Sequence, residues 1–161
     1  MATRLSKTAL MLFVALFSSL VVFNNVTDYN SNFQFVRHVL EMDTTFDGNR
    51  GLWRAIHAPW LHHLAYLAII AAETAVAGLA WLAAARLWAV RRDAARFNRS
   101  KGPAIAALTL GVGLWFAGFI AVGGEWFLMW QSEVWNGQQA AFRIAAVFLL
   151  ILLFVARPEE P

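Results

Sequence analysis

The chain of 161 residues has no cysteine, which excludes both a disulfide framework and thiolate chemistry. Charge is scarce too: Asp, Glu, Lys and Arg make up 14% of the residues, against about a quarter in an average soluble domain. No phosphate loop, zinc motif or paired nucleophile and base occurs, so an enzyme reading has no positive support. What is present is mainly apolar: 60% of residues are hydrophobic and the mean hydropathy is +0.54. A soluble fold of this size could not hide so much apolar side chain. The expectation is a single all-α membrane domain over residues 1–161, built as an integral membrane four-helix bundle.

Four apolar runs define the expected spans, at about 8–24, 61–90, 103–129 and 139–156. Arg4 and Lys7 precede the first run, which closes in the polar group Asn24, Asn25, Thr27 and Asp28. A basic start with a short apolar core also describes a secretory signal peptide. Ser18 and Ser19 lead into Leu20, Val21, Val22 and Phe23, however, a poor small-residue cleavage site, so an uncleaved span is expected. Pro103 suits the first turn of the third span, and Pro158 stops the fourth.

Basic residues set the expected orientation. With the amino terminus inside, Arg4, Lys7, Arg86, Arg91, Arg92, Arg96, Arg99, Lys101 and Arg157 fall on the inner side, and Arg37, Arg50, Arg54 and Arg143 on the outer. Nine against four favours both termini in the cytoplasm. Trp60, Tyr66, Trp126, Trp130 and Trp135 would mark the outer interface and Trp88 the inner one. The same rule accounts for the basic cluster from Arg86 to Lys101 without nucleic acid, and places it on anionic lipid headgroups. Between the first two spans, Phe33, Val36 and Leu40 share a helical face, predicting a short amphipathic helix that lies on the bilayer or caps the bundle from outside. Two rows of small residues, Gly113, Ala117 and Ala121 on span three and Ala68, Ala72, Val76 and Ala80 on span two, predict close helix packing inside one bundle.

The stretches Asp28-Tyr29-Asn30-Ser31-Asn32-Phe33, Glu41-Met42-Asp43-Thr44-Thr45-Phe46 and Gly123-Gly124-Glu125-Trp126-Phe127-Leu128-Met129-Trp130 carry a resemblance, as does Trp135-Asn136-Gly137-Gln138-Gln139. Over nearly its whole length the chain resembles a bacterial family of predicted small integral membrane proteins of unknown function. That resemblance implies a four-span architecture in the bacterial inner membrane and supplies no activity.

Four features are candidates for chemistry. Glu73 lies near the middle of the second span, where an ionisable group is costly unless hydrogen-bonded; Ser18 and Ser19 on the first span are its expected partners. Glu125 and Arg143 are expected to form an outer latch across a tight Asn136-Gly137 hairpin. Trp126, Trp130 and Trp135 could line an outer aromatic groove as well as anchor the interface. His38, His57, His62 and His63 fall toward the outer side and make metal binding there conceivable, with His57, His62 and His63 as weak candidates, but their spacing beside Pro59 gives no clean metal-binding face and no metal site is expected.

Three functions follow. The leading expectation is an accessory subunit of a membrane complex, in contact with lipid and with another membrane protein. A small proton, ion or solute carrier using Glu73 is the second. A lipid-, quinone- or haem-binding redox anchor is the third; the cofactor itself is not legible in the residues.

Overall fold

In the computed structural model, residues 1–160 are described, and they form helices and connecting turns without a strand. The helices are α1 (Ala2–Thr27), α2 (Tyr29–Glu41), α3 (Pro59–Ala89), α4 (Ala94–Arg99), α5 (Gly102–Val112) and α6 (Gln138–Ala156). Beyond Val112, α5 continues without a break as a π segment, Gly113–Trp126, whose backbone bonds skip five residues rather than four. Four stretches are long and apolar enough to cross a membrane: α1, α3, the run Ala94–Trp126, and α6. Helix is the solution hydrocarbon imposes, because every peptide group must find its partner within its own segment.

The spans pack in the order α1, α3, α5, α6, with α1 also touching α6. One core cluster joins Met11 and Val14 of α1, Ala80 and Leu87 of α3, Leu108 of α5 and Phe148 of α6. Small residues permit this closeness, though only in part at the expected positions. Val76 and Ala80 are buried, but Gly113, Ala117 and Ala121 are exposed. The close approach on the third span falls instead at Gly111, where an added Cβ would overlap the Phe148 ring. The π segment explains the miss, since a helix opened to five-residue bonding no longer stacks positions four apart.

At one end of the bundle the two termini meet the connector between α3 and α5. Lys7 is only 1% exposed; its Nζ donates to the Arg157 carbonyl at 2.6 Å and lies 2.6 Å from Glu159 Oε1, a charge contact rather than an aligned hydrogen bond. Lys101 Nζ donates to the same carbonyl at 2.5 Å, while Asn98 Nδ2 donates to Glu159 O and Glu159 N to Asn98 Oδ1, both at 2.9 Å. In that connector Asp93 caps α4, accepting from the Arg96 backbone N–H at 2.9 Å, a bond that holds its carboxyl below the usual range.

At the opposite end α2 folds back over α3, burying Val36, Val39 and Leu40 together with Tyr66, Phe127 and Met129. Met42, in the left-handed conformation at φ 54°, ends α2. The connection from α5 to α6 is longer than the tight hairpin expected, with a 3₁₀ turn at Met129–Gln131 before Gly137 caps α6.

Candidate functional site

Glu73 sits midway along α3 and is 4% exposed. Its Oε2 accepts from Asn25 Nδ2 at 2.6 Å. The Asn25 Oδ1 in turn accepts from Asn32 Nδ2 of α2 at 2.7 Å, and the Asn25 carbonyl accepts from the Tyr66 hydroxyl at 3.2 Å. One asparagine thus connects three helices, and each of its side-chain polar atoms has a partner. A buried network of this kind is worth forming only when its members are satisfied.

The expected serine partners are corrected by helix register. α1 reaches Thr27, so Asn24 and Asn25 lie inside the helix rather than beyond its end. Because α1 and α3 run antiparallel, Asn25 meets Glu73, whereas Ser19 Oγ accepts from Trp81 Nε1 at 3.1 Å and donates to the Ala15 carbonyl at 2.7 Å. That is about 9 Å further along α1, at 1.5 Å per residue. Ser18 is buried and borders a small void beside Glu73 without bonding to it.

Around this network lies a cavity of about 320 Å³ lined by Asn24, Asn25, Asn32, Tyr66 and Glu73 on its polar side and by Phe35, Val36, Ile69, Trp115 and Phe119 on its apolar side. A second cavity of about 200 Å³, bounded by Val39, Leu40, Leu114, Gly118, Val122 and Gly123, adjoins it. Phe35, Val36, Ile69 and Phe119 line both. The two hollows thus lie side by side, one with hydrogen-bonding groups in its lining and the other almost wholly apolar, surroundings that suit a small molecule.

The other sequence candidates separate. Glu125 and Arg143 do not pair: both are exposed, and Arg143 Nη2 reaches Gln139 Oε1 at 3.4 Å instead. The longer connection and the π segment before it remove the facing geometry that the latch needed. Trp126, Trp130 and Trp135 do not share a groove. Their rings pack edge-on with Trp53, edge-on with Phe46 and flat on His38, respectively, while the aromatic lining of the cavities comes from Phe35, Tyr66, Trp115, Phe119 and Phe127. The histidines diverge as well: His63 stacks on Phe33 and bonds the Tyr29 hydroxyl at 2.9 Å, His57 is exposed, and His62 is buried with Nε2 2.8 Å from the Ile56 carbonyl.

Asn25, Asn32 and Tyr66 were missed as site residues. A signal existed for one of them: Tyr66 precedes Glu73 by seven positions on α3, the spacing that returns to one helix face, whereas Asn25 and Asn32 sit on different helices.

Four candidate spans around a buried polar group define a helical integral membrane protein. More narrowly, the chain belongs to the DUF2165 family, described as predicted small integral membrane proteins, which it matches over residues 3–158. A search of curated proteins and one of solved structures each found no match.

Proposed function

We propose that this protein binds a small amphipathic molecule of the lipid or quinone class inside its own bundle, with the polar head at Asn25, Asn32 and Glu73 and the apolar body along Phe35, Ile69 and Phe119. The observation that carries this reading is that a cavity with hydrogen-bonding groups in its lining stands beside an apolar one, with Phe35, Val36, Ile69 and Phe119 lining both. Presenting such a molecule to another membrane protein is the accessory role inferred for it. The membrane is the bacterial inner one, with both termini in the cytoplasm, and the gathering of Lys7, Lys101 and the arginine-rich connector at the termini end supports that orientation.

The carrier reading is weaker on size. A carrier needs a route past Glu73, but toward the termini end the carboxyl borders a void of only about 10 Å³, closed by Phe17, Val76, Leu114 and Phe148. That is barely room for one water. Haem fares no better, because neither cavity is lined by a histidine.

Native mass spectrometry and solvent extraction of protein purified in mild detergent test the proposal. The intact chain should retain a small amphiphile that Asn25→Leu and Glu73→Leu variants have largely lost. Folded, monodisperse protein carrying only the bulk lipid that the variants also carry would refute it.

A further inference from the structure

Two hollows border Glu73, of about 320 and 10 Å³, and the larger admits a head group. The carboxyl itself is half engaged: Oε2 accepts from Asn25 Nδ2, while Oε1 has no hydrogen bond among the described residues. Oε1 keeps accessible surface even though the residue is only 4% exposed. A carboxylate oxygen accepts up to two hydrogen bonds, so this one is left for a ligand that donates.

The charge of the surroundings decides which donor. Among the described residues, no lysine, arginine or histidine lines either cavity, and Glu73 forms no ion pair. A phosphate or carboxylate head would therefore meet a buried carboxyl with no counter-charge, a repulsive pairing in a low-dielectric interior. A cation instead supplies the opposite charge with which ionisable groups in mid-span ordinarily pair. The rings add a second, independent preference of the same sign. Trp115 stacks on Phe119 at 4.7 Å between centroids and Phe119 on Phe35 at 6.2 Å, so three aromatic rings form one wall of the same cavity. Aromatic faces attract an ammonium and repel an anion.

We infer that the cavity selects an amphiphile whose head is a protonated amine, the ammonium pairing with Glu73 Oε1 beside the rings of Trp115 and Phe119. This rests on the reading that the cavity holds an amphiphile, and narrows it to amine-headed lipids. Quinones are set aside, because a quinone carbonyl accepts hydrogen bonds and has none to give the carboxylate. A hydroxyl head could donate, but it would leave the charge unpaired, whereas an ammonium brings donor and charge together. Asn25 holds the other carboxyl oxygen, so the acceptor is oriented before the ligand arrives. Asn32 donates through Nδ2 to Asn25 Oδ1 and keeps its own amide oxygen free for a second ammonium proton.

Three radiolabelled probes of equal chain length test the head group: dodecylammonium, dodecanol and dodecyl phosphate, each titrated into the full chain in nonionic detergent. Dodecylammonium should bind saturably, one per chain, with dodecanol weaker and dodecyl phosphate not bound. Glu73→Gln keeps the side-chain shape and an oxygen for Asn25 but removes the charge. It should weaken dodecylammonium binding by at least about tenfold and leave dodecanol binding unchanged. In the unaltered chain, dodecanol or dodecyl phosphate binding as tightly as dodecylammonium overturns the amine head while leaving the cavity reading in place. Dodecylammonium binding that Glu73→Gln does not weaken has the same consequence. Folded, unaltered protein that binds none of the three saturably overturns both readings.

Discussion

Lys7 would be placed in headgroups on charge alone, yet it is buried at the meeting point of both termini and the α3–α5 connector. Its ammonium has the Arg157 carbonyl and the Glu159 carboxylate as partners and the Phe154 ring 5.2 Å away. Replacing Lys7 with Met would remove the ammonium in contact with Glu159 Oε1. In a rigid interior the cost of such a break is about 3–5 kcal/mol. Here Lys101, which shares the Arg157 carbonyl and also acts electrostatically with Glu159, stays beside the carboxylate, so the expected destabilisation is that of lost hydrogen bonds, about 1–3 kcal/mol. Thermal unfolding in detergent measures it, and Lys7→Met protein as stable as the unaltered chain would show that the strap contributes nothing.

The element that shapes the candidate site is the π segment. Gly113, Gly118 and Gly123 recur every five residues along it, in step with its hydrogen bonding, and Gly118 and Gly123 line the apolar cavity. π-helical turns are rare and concentrate at functional places, which agrees with one forming a cavity wall here. An added Cβ at Gly118 would meet only Leu114, at 3.8 Å, so a side chain there has room to grow. Gly118→Leu is therefore expected to preserve the fold while filling the apolar end and expelling the bound amphiphile. Unchanged ligand content in a folded Gly118→Leu protein, read by native mass spectrometry, would count against the cavity as the site.

For the molecule as a whole, orientation is the statement most open to direct test. The absence of cysteine makes single-cysteine labelling clean, since no background thiol exists. Asp47 and Arg96 are both exposed and lie at opposite ends of the bundle. If the termini side, with its nine basic residues, is cytoplasmic as proposed, Asp47→Cys should react with a membrane-impermeant maleimide in intact cells, and Arg96→Cys only once the membrane is opened. The reverse pattern would invert the topology.

Composition and run length were enough to establish four apolar helices, because hydrocarbon leaves the backbone little choice and an 18-residue apolar run is legible without knowing its neighbours. Glu73 stood out for the same reason, as the one carboxylate in mid-span. Its partner did not. A serine at matching depth looked as suitable as an asparagine near the helix end until the antiparallel register of α1 and α3 put Asn25 against the carboxyl. The Glu125–Arg143 latch failed on the path of a connection whose turns depend on packing beneath it. His62 comes beside Glu41 only because α2 folds back onto α3, a contact between segments about 20 residues apart that no local spacing encodes. Local chemistry thus determined which segments enter the membrane; which polar side chains meet there was decided by helix register and by α2 closing over α3, since both are properties of packed pairs rather than of either strand of sequence alone.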